Sequence, residues 1–180
     1  MYRIVTVSGL SYTGTTTFGK HLASALNWQF ISAGQRFREK CEQHGIAITD
    51  IPTAMHRQLD EQVQTELTVA LDTVFEGRYL GHFGRLYTDI LKIRLEANLE
   101  VRQARCLARE PGHSDLDWAL RYIRFRDASE VKDAKDLYGL DNFLDDDFFH
   151  LILMNNHLED HERAIERVVR LVRANADQNV

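Results

Sequence analysis

Apolar and polar positions repeat with two periods along this chain, and the switches between them mark its elements. Ile4 to Val7 is a β-branched run closed by Ser8 and Gly9, the pattern of a short strand buried in a parallel sheet. From Thr16 to Leu26 the apolar residues Phe18, Leu22, Ala25 and Leu26 recur at helical spacing, so a helix follows the glycine-rich turn directly. Trp28 to Ile31 reads as a second strand. Ser32 with Gln35 three residues on is a capping-box pattern that opens a helix ending at Gly45. Asp50 and Pro52 start the next helix, whose apolar side runs through Leu59, Val63, Leu67, Ala70 and Leu71. Thr73 to Glu76 is a brief strand stopped by Gly77. Ile90 to Leu95 alternates as a strand, with a more polar face than a central parallel strand calls for.

After Asn98 as cap, Leu99 to Arg109 is helical and basic until Pro111 and Gly112 stop it, and Ser114 opens another helix. Asp115 to Tyr138 is densely charged with few large apolar residues, which reads as an exposed, mobile lid. The triplet Asp145 to Asp147 reads as a solvated turn, Phe148 to Met154 as the last strand, and Leu158 to Val172 as an amphipathic helix with Leu158, Ile165, Val168, Val169 and Val172 inward. The expected architecture is α/β: three layers, α/β/α, around a five-stranded parallel sheet with a helical lid. Ligands bind beyond the carboxyl ends of such strands.

Length and composition narrow this further. The 180 residues, 44% of them hydrophobic, suit a single domain spanning 1–180. A net charge of −5, from 22 Lys and Arg against 27 Asp and Glu, is interspersed and gives no basic face for a nucleic acid polymer. Cys41 and Cys106 stand far apart in no metal or redox spacing, which reads as free thiols in the cytoplasm. No stretch reaches the roughly 20 apolar residues of a membrane span, and the N-terminus carries no cleavage pattern.

The chemistry begins after the first strand. GLSYTGTT, from Gly9 to Thr16, has the G-x-x-x-x-G-x-T spacing of a phosphate-binding loop without its lysine. Backbone N–H groups from Ser11 through Tyr12, Thr13, Gly14 and Thr15 to Thr16 are placed to wrap a phosphate, with the following helix pointing its positive end at the anion. Thr16 holds the position whose hydroxyl meets magnesium. Thr15 stands where a lysine would neutralise the transferred phosphate; it hydrogen-bonds but carries no charge.

The chain resembles the archaeal-type cytidylate kinases, of the nucleoside monophosphate kinase fold. The resemblance rests on GLSYTGTTTFG, which extends the loop to Thr17, then on ISAGQRFRE (31–39), RQLDEQV (57–63), FEGR (75–78), LKIRLEANLEVRQAR (91–105) and RDASEVKDAKDLYG (126–139). It implies an ATP- and Mg2+-dependent kinase acting on a pyrimidine nucleoside monophosphate, CMP or dCMP, as a monomer. The acceptor-binding region would lie at about 32–72 and the lid at about 110–140. Ser32, Gly34 and Arg38 match the acceptor-phosphate motif, Arg78 the arginine that also holds the acceptor, and Asp60 a position near the acceptor nucleotide. Arg102 and Arg105 match the segment that meets ATP, and Arg126 opens the lid motif as its catalytic arginine. A threonine in place of the loop lysine is a frequent spelling in that family. Two departures stand out. Tyr12 replaces the usual loop glycine, bringing an altered backbone or an aromatic cover. Asp133 replaces a second lid arginine, with Lys132 and Lys135 as neighbouring substitutes.

These departures leave a second reading open: a nucleotide-binding protein that keeps the fold and acts as a sensor or scaffold. AMP, UMP or a small metabolite also remain as acceptors. His157 and His161 share a helix spacing but lack a third ligand and read as surface residues. Trp28 and Trp118 read as packing, and Arg121 and Arg124 as a solvated face.

Overall fold

A computed structural model of the chain describes residues 1–47 and 50–177. Five strands form one parallel sheet: β1 (Ile4–Ser8), β2 (Gln29–Ser32), β3 (Thr73–Glu76), β4 (Ile90–Glu96) and β5 (Leu151–Met154), in the order β2-β3-β1-β4-β5. The central strand β1 is buried throughout, as its unbroken apolar run requires. Alternate side chains feed two cores. Val5 and Val7 face Phe18 and Leu22 of α1 (Thr15–Leu26) and Val168 and Val172 of α7 (Leu158–Asp177). Ile4 faces Val63 and Leu67 of α3 (Thr53–Val69) and Leu80 of the short α4 (Leu80–Phe83). Helix α2 (Ala33–His44) packs beside α3.

Helix α5 (Leu99–Arg109) pairs with α6, one continuous helix over Leu116–Tyr138. The stretch read as an exposed arm buries Ala119, Ile123, Glu130 and Ala134 on one side. Two alanines, one isoleucine and a glutamate at helical spacing make that side, which is why a count of large apolar residues overlooks it. The cap of α6 is Asp115 rather than Ser114; its carboxylate accepts from the N–H groups of Asp117 and Trp118. Asn98 sits at the cap of α5 without a side-chain capping bond. At α2, Ser32 Oγ accepts from Gln35 N at 3.1 Å, but the Gln35 side chain turns to Glu39, so only half of the capping box forms.

The polar face of β4 has a cause in the layer above it. Lys92, only 5% exposed, donates from Nζ to the carbonyls of Gly84 and Tyr87. Arg94 donates to Leu144 O and pairs with Asp146 and Glu96, both at 2.6 Å. Carbonyls of the turn after α4 and of the loop before β5 lie over the polar positions of β4, so cations satisfy them. Asp145 caps a 3-10 turn at Asp146–Phe148, ahead of the shorter β5. Leu71 and Leu158, read as inward, are exposed because α3 stops at Val69 and α7 only begins at Leu158.

His161 corrects the surface reading. It is 8% exposed and packs edge-on against Phe18, while His21 bonds it at 2.9 Å. Its Nδ1 contacts Asn155 Oδ1, and Asn155 Nδ2 donates to Thr13 O at 2.8 Å. A helix turn apart, exposed His157 and buried His161 face different surroundings. Among the described residues no group of three or more His, Cys, Asp or Glu is placed to hold a metal. No described helix is long and apolar enough to cross a membrane.

Candidate active site

The loop between β1 and α1 is shaped by close approach. A Cβ on Gly9 would meet Leu95 O at 2.6 Å, and Gly14 sits at φ +92°, a region that glycine enters without steric cost. Tyr12 adopts φ 67°, so the position where the related loops have glycine keeps a left-handed backbone under a tyrosine. Its ring packs with Cys106 and Ile123 between α5 and α6, and its hydroxyl donates to Glu110 Oε1 at 2.8 Å. Thr13 is buried and closes the turn on Leu10 O. Thr15 and Thr16 line the cleft beyond the loop, while Thr17 is exposed on the first turn of α1. The first N–H groups of a helix have no intrahelical partner, which leaves those of Thr15 and Thr16 free for an anion in the cleft they line.

Arg102 and Arg105 grip this loop from outside. Arg102 donates to Ser11 O at 2.8 Å and forks onto Asp127 at 2.7 and 2.9 Å. Arg105 donates to Thr13 O at 3.0 Å and Asn155 O at 2.7 Å. Neither lines the cleft. Both act on the carbonyls that hold the loop in shape.

The cleft, about 460 Å³, gathers four arginines: Arg38 from α2, Arg78 after β3, Arg109 at the end of α5, and Arg126 on α6. Burial, then Arg109, and more weakly Arg126 and Arg78, push the Arg38 guanidinium below its ordinary range, against Glu76. Such mutual repulsion makes a site for anions. Arg126 is held above its ordinary range: burial works against it, but Glu130, Tyr122 and Tyr12 prevail. Glu130, 2% exposed, accepts from Ser11 Oγ and lies near Arg78 and Arg126.

Parallel pairing sets Ser32 beside Glu76 at the carboxyl ends of β2 and β3. Glu76 Oε1 accepts from Thr15 Oγ1 at 2.9 Å and Oε2 from Ser32 Oγ at 2.5 Å. One carboxylate thereby joins the loop threonine to the start of α2. The Glu76 carboxylate and the Thr16 hydroxyl are hard oxygen donors beside the loop and fit a magnesium ion that takes its remaining ligands from phosphate and water. Gly34 and Arg38 line the same wall. Farther along, Asp60 is 4% exposed and accepts at Oδ2 from Tyr138 and from His56 Nδ1 at 3.1 Å.

A loop, a carboxylate at the next strand end and a ring of arginines form a phosphoryl-transfer site. Two relatives decide which kind. The chain is 36% identical over 151 residues to the cytidylate kinase of Methanocaldococcus jannaschii, covering 79% of this chain and 82% of that protein. The chain belongs to the cytidylate kinase family. The cytidylate kinase of Methanopyrus kandleri is 32% identical over 151 residues, covering 77% of each chain. No family model matches the chain. In fold it is similar to shikimate kinase from Bacteroides thetaiotaomicron, with a TM-score of 0.64, 17% identity, and 95% and 98% of the two chains covered.

As a member of the cytidylate kinases, the chain is a nucleoside monophosphate kinase, and its departures acquire locations. Asp133 lines the cleft, half-buried. Lys132 and Lys135 do not take its place: they pair at 2.5 Å with Asp136 and Asp141, away from the cleft. Sequence reasoning missed Arg109, Glu76, Glu130 and Tyr79. Arg109 follows Arg105 by four residues and Glu130 follows Arg126 by four, so helical spacing marked both. Glu76 and Tyr79 flank Gly77 and Arg78 at the end of a strand, where sites form.

Proposed function

We infer that the protein transfers the γ-phosphoryl group of ATP to CMP or dCMP in a single in-line step. The carrying observation is the convergence of Arg38, Arg78, Arg109 and Arg126 on a cleft with the glycine-rich loop at one end. Phosphoryl transfer asks a protein chiefly to position reactants and to spread positive charge over the migrating group. The loop N–H groups hold the donor phosphates. Thr16 and Glu76 hold the magnesium, which supplies charge neutralisation on phosphate oxygens when bound. Arg38 and Arg78 fork onto the acceptor phosphate, which is its own nucleophile. Arg126 and Arg109 meet the migrating group from α6 and α5, and the covering α6 excludes water. Both cysteines are free and buried, in keeping with a cytoplasmic setting.

Thr15 without a charge and Asp133 in the cleft favour a second reading, a nucleotide sensor or scaffold. ADP production with Mg·ATP against CMP, dCMP, UMP, AMP and GMP, with binding measured in parallel, separates the two. Turnover with CMP or dCMP is the expected result. Tight binding without turnover on any acceptor points to the sensor.

A further inference from the structure

The cleft is also lined by His56 and Asp60 from α3 and Tyr79 after β3, and Tyr138 from the end of α6 bonds Asp60 from behind. The rings are close. Tyr79 lies 5.4 Å from Tyr138 and 6.3 Å from His56, centre to centre.

Two polar atoms there are unusual. Tyr79 is 4% exposed, and its buried hydroxyl has no hydrogen-bond partner among the described residues. A buried hydroxyl without a partner is costly, and such groups mark places where a ligand completes the bonding. Asp60 is equally buried, with Oδ2 committed to both Tyr138 and His56. Two donors on one oxygen fix the carboxylate in place and leave Oδ1 as an acceptor. Burial is the main cause that raises the Tyr79 phenol above its ordinary range, so it stays protonated and able to donate.

We propose that Tyr79 and Asp60 select the acceptor by its base edge: Asp60 Oδ1 accepts from an exocyclic amino group, and the Tyr79 hydroxyl donates to the unprotonated ring nitrogen beside it. Cytosine and adenine present that order of donor and acceptor. Uracil and hypoxanthine present a carbonyl and a ring N–H instead. A phenol rotates to suit either order, but an ionised carboxylate only accepts. A keto oxygen facing Asp60 therefore leaves two acceptors opposed in a buried site, a mismatch that hydrogen-bonding pockets reject strongly. The rings of Tyr79, His56 and Phe37, the last two 4.7 Å apart, supply the apolar walls for the base.

This inference rests on the monophosphate kinase reading of the same cleft, and its test separates the two. Dissociation constants and kcat/KM are measured for the matched pairs CMP and UMP, and AMP and IMP. The proteins are the wild type, Tyr79→Phe, Asp60→Asn and Tyr138→Phe. The wild type is expected to favour the amino member of a pair by tenfold or more. Tyr79→Phe keeps the ring in the core and weakens the amino member about tenfold, the worth of one hydrogen bond. Asp60→Asn collapses the preference, because an amide also donates. Tyr138→Phe unlocks Asp60 and lowers the ratio without removing the carboxylate. A merely structural role would lower stability and leave the amino-to-keto ratio unchanged. Equal wild-type binding of both members, or a wild-type ratio in Asp60→Asn together with wild-type affinity for the amino member in Tyr79→Phe while ADP still forms, overturns the inference. A preference in binding that persists with no ADP formed upholds the pocket and overturns the kinase reading.

Discussion

Ser11 on the glycine-rich loop donates to Glu130 on α6 at 2.7 Å, and this single bond ties the phosphate-binding loop to the helix that covers it. Arg78 and Arg126 approach the same Glu130 oxygen at 3.4 and 3.6 Å, while the other oxygen is buried without a partner among the described residues. Phosphates that enter between these arginines compete with Glu130 for them. Glu130→Gln keeps the Ser11 bond and removes the charge. KM for the acceptor is expected to fall several-fold, while loss of about 1 kcal/mol lowers Tm by roughly 2–4 °C. A lower Tm with unchanged KM would make Glu130 purely structural.

Arg102 and Arg109, two turns apart on α5, are expected to fail differently. Arg102 is 7% exposed and forks onto Asp127. Arg102→Ala strands that carboxylate, with a cost of about 3 kcal/mol. Thermal unfolding should show a Tm lower by roughly 6–12 °C. Arg109 is exposed and faces the cleft, so Arg109→Ala should leave Tm within a degree or so while lowering kcat about a hundredfold. Equal losses of stability in the two variants would contradict the assignment.

Thr15 and Ser32 hold Glu76 from opposite sides, so the threonine that stands in for lysine positions a carboxylate rather than neutralising a phosphate. Thr15→Val and Ser32→Ala are each expected to lower kcat about tenfold, and the double variant by less than the product, because both act through one group. Strict additivity in kcat would show that the two hydroxyls act independently of Glu76.

In the proposed reaction Arg78 forks onto the acceptor phosphate, and Arg78→Ala removes that donor. With roughly 1.5–3 kcal/mol per charged hydrogen bond, KM for the acceptor should rise about 10–100-fold with a smaller change for ATP. Unchanged acceptor affinity would move the acceptor phosphate elsewhere.

Burial, then Arg85, lowers His82 from an ordinary 6.5 to about 4, and burial lowers His150 and His161 in the same direction. The unfolded chain therefore binds protons that the fold refuses. Stability is complete above about pH 6.5 and declines as pH falls toward 4. Denaturant titrations across that window should show the decline, and His82→Gln should flatten part of it. A profile unchanged by that substitution would assign the decline to other groups.

Much of the site was legible because it lies at predictable ends of elements. Gly9, Gly14 and the threonines after them follow a buried strand and open a helix, and their spacing states a phosphate loop before any fold is known. Arg38, Arg78 and Arg126 stood in recognisable motifs and do meet in one cleft. Arg102 and Arg105 stood in an equally recognisable motif, yet they bond the carbonyls of the loop. A guanidinium serves a phosphate or a carbonyl with the same donors, so type and spacing do not separate the two uses.

The sequence alone determined the five strands, the helix that follows the glycine-rich loop, and the parallel order that puts chemistry at the strand ends, because periodicity, glycine and capping are local properties. Only the tertiary structure decided that Glu76 receives both Thr15 and Ser32, that Glu130 sits between Arg78 and Arg126, and that Asp60 and Tyr79 share a pocket. Glu76 lies 44 and 61 positions from the two hydroxyls it receives. Which polar group ends beside which depends on sheet register and on the path of α6 across the cleft, and both are set by packing that no local window of sequence contains.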